Sequence, residues 1–132
     1  MSSPVSISGK TSFSPGRGAP VVDLPFGAAL QYDSKADDEL VLTGSGTRAL
    51  DLGTVSSAGL KLLIIELDAA SPTQGGTPEP IFVRLNGAGA TGQEEIAPGG
   101  GKALWSPNPV AGITAVTIVY SADVRVRYRA FS

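Results

Sequence analysis

The sequence predicts an all-β chain folded as a two-sheet antiparallel sandwich, and three observations lead there. Glycine (17 residues) and proline (10) are abundant, together about a fifth of the chain and well above average usage, so turns are frequent. Hydrophobic residues nevertheless make up 42% of the sequence, too many for a disordered protein. The apolar residues fall in short segments between turn signals and show no amphipathic helical period. A chain of 132 residues fits one domain and can bury about two-thirds of its unfolded surface without disulfide staples.

Residues 1–31 read as an extended N-terminal arm. Pro4, Pro15, Gly16, Gly18, Pro20, Pro25 and Gly27 punctuate it too densely for a long regular element. Val5, Ile7, Val21 and Val22 are short apolar pieces, each able to add to a sheet edge. With Arg17 they are the arm's candidate partner-binding residues. An arm of this composition frays unless its own sheet or a neighbouring subunit holds it, and a neighbour is the expectation here.

Residues 32–132 read as the sandwich domain. Glu39–Thr43 is a strand leading into the turn Gly44-Ser45-Gly46, and Arg48–Leu52 alternates apolar with polar. Leu60–Asp68 (LKLLIIELD) could be helix or strand by length. Gly59 before it and the proline- and glycine-rich loop Ser71–Pro80 after it favour a central strand. Pro80–Leu85 runs into Asn86-Gly87, a tight-turn dipeptide because both residues tolerate positive φ. Short segments come next at Glu94–Ile96 and Lys102–Trp105. Ile113–Ser121 is a second central strand rich in β-branched residues, and Ala122-Asp123 turns the chain into the last strand, Val124–Phe131. Seven or eight short strands with no repeat suit a sandwich of jelly-roll type better than a barrel closed around a ligand.

Composition narrows the chemistry. The chain has no cysteine and no histidine, which removes thiolate metal sites, disulfides, and the commonest general base and transition-metal ligand. Its net charge of −2 offers no overall electrostatic footprint for nucleic acid. The longest apolar run, Leu62–Ile65, is far short of a bilayer span of about 20 residues. The N-terminal MSSPVSISGK lacks a signal-peptide core, so no export is expected.

Each motif that suggests an activity fails on context. The run Asp33–Glu39 lacks the ligand order of a Ca²⁺ loop and carries Lys35 among the acids, so it reads as a solvated turn. Gly44–Ala49 fits G-x-G-x-x-A, but the next residues, LDLGTVSSAG, alternate and carry two glycines instead of opening a helix. The motif therefore reads as a hairpin turn. Ser56-Ser57 have no histidine partner and no nucleophile elbow. Glu66 and Asp68 share a strand face and are the one carboxylate pair worth testing for glycoside hydrolysis; the plainer reading is a polar strand edge. No enzyme activity and no cofactor are expected. Trp105, the single tryptophan, reads as a packing residue by the usual burial of that side chain.

The last strand stands apart. Val124, Val126 and Tyr128 point to one side, and Arg125, Arg127 and Arg129 to the other. Three guanidinium groups spaced about 7 Å apart repel unless solvent or anions screen them. They form a charged edge that resists aggregation, a docking stripe for a partner's carboxylates or, as a third option, a phosphate site. Three arginines on a net-acidic chain nevertheless make a poor nucleic-acid site.

The stretch from Gly59 to about residue 130 resembles small structural proteins of tailed-bacteriophage virions. In those, a strand ending in acidic residues is followed by V-x-L-N-G, a P-G-G loop, a G-I-T strand and a closing strand. The matching residues are Val83, Leu85, Asn86, Gly87, Pro98, Gly99, Gly100, Gly112, Ile113 and Thr114. The resemblance implies a virion location and a role as a capsid cement or decoration protein. The implied partners are the major capsid protein and further copies of the chain (a dimer or trimer), with neither nucleic acid nor membrane. A tail or baseplate component, or a carbohydrate-binding receptor module, is the alternative it leaves open; the sugar version would present Trp105 or Tyr32 in a groove.

Overall fold

The computed structural model describes residues 3–13, 18, 20, 22–32, 35–53, 59–87, 89–105 and 112–132. Within them lie ten strands and one short 3₁₀ turn at Ala90–Gly92, with no α-helix. The strands are β1 (Ser3–Phe13), β2 (Val22–Tyr32), β3 (Lys35–Leu42), β4 (Gly46–Ala49), β5 (Leu62–Leu67), β6 (Ile81–Leu85), β7 (Glu94–Ile96), β8 (Gly101–Trp105), β9 (Val116–Tyr120) and β10 (Val124–Phe131). All pairings are antiparallel.

The pairing of the last eight strands is nested. β3 pairs with β10, β4 with β9, β5 with β8 and β6 with β7. Two further pairings, β10 with β5 and β9 with β6, close the sheets β3-β10-β5-β8 and β4-β9-β6-β7. Period-two alternation then decides which side chains meet. Leu63, Ile65, Leu67, Val124, Val126, Tyr128 and Ala130 of the first sheet share one buried cluster with Ile81, Val83, Ile96, Val116 and Ile118 of the second. The protein is a β-sandwich, and this cluster is its core. Burying each large apolar side chain contributes about 1.5–3 kcal/mol.

Polar contacts reinforce both sides of the core. On one side Tyr128, pointing inward from β10, donates its hydroxyl to the Asp51 carbonyl oxygen at 2.7 Å. Burial pushes its phenol above the ordinary value, an effect the nearby Asp38 and Asp51 charges add to. On the other, Lys102 of β8 reaches along the sheet margin to pair with Glu94 of β7.

Glycines and one asparagine set the loops. Gly59 adopts φ +91, and a side chain there would collide with the backbone of Gly112. That close approach lets the Leu60 N–H reach the Ile113 carbonyl at 2.9 Å. Asn86 and Gly87 both have positive φ, 52 and 74, as a tight turn requires. The Asn86 carboxamide does more than turn the chain. It donates to the Gly112 carbonyl at 2.9 Å and accepts from the backbone N–H groups of Thr114 (2.8 Å) and Ala115 (3.2 Å). The N-G and G-I-T segments, far apart in sequence, are thereby one structural unit.

Two expectations need correction. Gly44-Ser45-Gly46 is not a hairpin turn, because β3 and β4 lie in different sheets. The local residues encode a reversal, but β4 finds its partner in β9, a choice made by long-range register. The arm does hold long regular elements, since β1 and β2 pair over eleven residues each. Pro4 (opposite Gln31) and Pro25 (opposite Lys10) fall on the same phase of that ladder. At that phase the backbone nitrogens can point outward, so neither proline removes a rung.

Replacing Asn86 by alanine should cost about 1–2 kcal/mol, because the Thr114 and Ala115 N–H groups lose their acceptor. Thermal or urea unfolding will read it; a loss below a few tenths would mean that water replaces the carboxamide.

Candidate functional site

Two surface features hold the candidate residues: the outer face of the first sheet, and the β1–β2 ribbon that lies against it.

The outer face is set by register. Arg127 stands between Glu39 on β3 and Glu66 on β5, and Arg129 between Asp37 and Ile64. Arg125 lies opposite Val41, with Asp68 just beyond the end of β5. The stripe read from the sequence is thus real, but the carboxylates it needs come from the same chain. Glu39 takes the Arg127 Nε–H at 3.0 Å and lies 3.1 Å from Arg125 Nε. The second contact is off the hydrogen-bond angle, leaving Arg125 Nε without a hydrogen-bond partner, so it is Coulombic. Asp68 closes the network, 3.5 Å from Arg125 and 3.9 Å from Arg127. Glu39, through its hydrogen bond and its charge, raises the Arg127 pKa above the usual guanidinium value. Arg129 takes no part in these ion pairs.

The same register explains the acidic candidates. Glu66 and Asp68 do share a face, and with Arg127 and Gly99–Gly101 they line a shallow hollow in which Asp68 pairs with Arg125 and Arg127. The run Asp37-Asp38-Glu39 lies in β3, where successive side chains point to opposite faces. Asp33 and Ser34 lie outside the described residues, as do Ser56 and Ser57. No group of three or more acidic residues suited to a metal ion occurs among the described residues.

The ribbon is amphipathic, which the proline count obscured. One face carries Val5, Ile7, Leu24, Phe26, Ala28, Leu30 and Tyr32; the other carries Ser6, Ser8, Lys10, Ser12, Asp23 and Gln31. Gly9 lies opposite Phe26, and the Phe26 ring fills the space where a side chain at residue 9 would sit. At its base the apolar face covers the sheet: Tyr32 meets Phe131 edge-on at 4.8 Å, and the Gln31 carbonyl accepts a hydrogen bond from Lys61 at 2.7 Å. Leu30 and Leu62 are buried there, outside the central core. Further out, Phe26 stacks on Trp105 at 6.0 Å. Trp105 is therefore not a core residue: β8 turns it to the outer face, 38% exposed. Leu24 and Phe26 are 53% and 46% exposed.

Of the arm residues singled out, Val5 and Ile7 are half-buried on the apolar face. Val22 is paired with Phe13 through its backbone, and Arg17 and Val21 lie outside the described residues. Sequence reasoning missed Leu24, Phe26 and Leu30. The signal was present, since Val22, Leu24, Phe26, Ala28, Leu30 and Tyr32 alternate without a break.

At one end of the sandwich Asp123 ties three loops together. It accepts from the Gly44 N–H at 2.7 Å and from the Thr73 hydroxyl, and its carbonyl faces Ser71. The Thr73 hydroxyl, then the Gly44 N–H, hold its carboxyl below the ordinary value.

No family model matches the chain, and no curated protein is similar to it. Among solved structures it is similar to ethanolamine utilization protein Q from Salmonella typhimurium LT2. That likeness has 13% identity and a TM-score of 0.39, over 96% of this chain and 97% of the other. At that depth it assigns neither fold nor activity.

Asp68→Asn should lower stability by about 1 kcal/mol or less, because the network is solvent-exposed, and the loss should shrink in high salt. Asp123, ionised more readily in the folded chain, stabilises above its ordinary value of 3.8 and loses that contribution as pH falls through its folded pKa. Melting temperatures across the acid range should therefore fall more steeply for the wild type than for Asp123→Asn; parallel curves would refute the tie.

Proposed function

We propose that this protein is a virion structural protein of the capsid cement or decoration kind, which lays its N-terminal ribbon on a neighbouring shell subunit. The observation that carries the reading is the ribbon itself. An isolated two-stranded ribbon is marginal at best in water, yet this one has an apolar face that its own sandwich covers only in part, with Leu24 and Phe26 half exposed. A surface that covers that face supplies what the fold lacks. The major capsid protein is the partner that the virion resemblance suggests.

Other features agree. The nested order β3-β10-β5-β8 against β4-β9-β6-β7 is the order expected of a jelly roll, in which a long hairpin rolls up on itself. The arginine stripe, largely neutralised by Glu39 and Asp68, is a poor lure for a partner's carboxylates, and the docking role passes to the ribbon. The exposed indole of Trp105 favours a second reading, a sugar-binding module on a tail, because sugar faces stack on rings. Phe26 already stacks on that indole, which weighs against it.

Quantitative mass spectrometry of purified virions should find the chain in numbers comparable with the major capsid protein. Leu24→Ser combined with Phe26→Ser should then abolish its retention on particles while leaving the sandwich folded. A few copies per particle would point to the tail instead, and absence from particles would sink the virion reading.

A further inference from the structure

Among the four edge strands of the sandwich, β8 is built differently. β3 carries Lys35, Asp37, Asp38 and Glu39 on its free edge; β4 is four residues long with Arg48; β7 is three residues long with Glu94 and Glu95. Such charges and short lengths discourage edge-to-edge pairing. β8 reads Gly101-Lys102-Ala103-Leu104-Trp105, and its one charge turns inward to Glu94. The Leu67 N–H bonds the Gly100 carbonyl at 3.0 Å, which fixes the phase of the ladder. Residues 100, 102 and 104 bond toward β5, so the N–H and C=O groups of Gly101, Ala103 and Trp105 point outward.

That edge is self-complementary. An antiparallel pairing of two β8 strands about a two-fold axis at Ala103 sets Ala103 against its own copy. It also sets Trp105 against Gly101 of the second copy. The indole then lies over a residue with no side chain, as Phe26 already lies over Gly9. The ribbon meets the same line. Its Tyr32 meets Phe131 and its Phe26 meets Trp105 on the edge strand, and residues 10–13 and 22–25 follow as the ribbon's outer end, about 14 Å long at the usual rise. In that pairing, the next positions on the line are Gly101, Glu66 and Arg127 of the second copy. There the structure has a shallow hollow lined by Glu66, Asp68, Gly99, Gly100, Gly101 and Arg127. Leu24 and Thr11 are register partners on the ribbon's apolar face, the face that would be turned to this hollow.

We infer that the chain forms a two-fold dimer through β8, with the outer end of each ribbon crossing the axis into the Gly99–Gly101 hollow of its partner. A five-residue edge alone covers far less than the roughly 800 Å² per partner of a stable interface, so the ribbon supplies the remaining area. This inference rests on the proposed role of the ribbon as a docking element, and names a second copy as the first surface it meets.

Analytical ultracentrifugation of the full chain, with no particle present, tests it. The wild type sediments as a dimer, and its Trp105 emission shifts to the blue as concentration rises. Ala103→Pro removes an outward N–H that the monomer does not use, so it should keep the fold and raise the dimer dissociation constant by about a hundredfold or more. Ala103→Lys, at an exposed position facing its own copy, should do the same by charge repulsion and serves if the proline variant does not fold. Leu24→Ser with Phe26→Ser should weaken the dimer about tenfold or more. A monomeric wild type, or a dimer indifferent to both Ala103 variants, overturns the β8 interface. A dimer that ignores the ribbon variant overturns the crossing. Either failure leaves the virion reading standing, and absence from virions leaves the dimer standing.

Discussion

The strand on which the rest of the molecule depends is β10. It is paired on both sides, by β3 and β5, and its period-two alternation divides the protein into two chemistries. Inward, Val124, Val126, Tyr128 and Ala130 supply the core. Outward, Arg125 and Arg127 hold Glu39 and Asp68. A one-residue slip of this strand would bury three guanidinium groups and expose the core, at a cost no local interaction could offset. Register here is therefore strongly specified, and the nested pairing of the remaining strands is built on it.

The ribbon is governed by a different constraint. Its backbone is satisfied between β1 and β2, but its apolar face is longer than the patch of sheet it can cover. The base is anchored by Tyr32 and Leu30, whereas Leu24 and Phe26 remain half in water. An amphipathic ribbon of this kind keeps apolar surface that its own sandwich leaves partly uncovered, which is the property the proposed docking role draws on.

Much of the architecture was legible in the residues. Short β-rich segments, the Asn86-Gly87 turn and the alternation of Val124–Phe131 all read correctly because each depends on local chemistry. The ribbon did not, because the arm's prolines and glycines outweighed an unbroken alternation from Val22 to Tyr32; in a two-stranded ribbon, Pro4 and Pro25 find a phase that tolerates them. Trp105 was misjudged for a related reason. A base rate places tryptophan inside, whereas the parity of β8 relative to Leu104 turns it out.

What the sequence determined by itself was the class of fold, the missing histidine and cysteine chemistry, and the division of β10 into apolar and cationic faces. These are properties of composition and of single strands. Only the tertiary structure decided that the arginine stripe finds its counter-charges on β3 and beyond β5, that Asn86 joins Gly112 and Thr114, and that the arm is a ribbon whose Phe26 stacks on an outward-facing Trp105 while Leu24 stays half exposed. Each of these is a matter of register between segments distant in sequence. Register is fixed by the joint burial of the core, and no single segment encodes that.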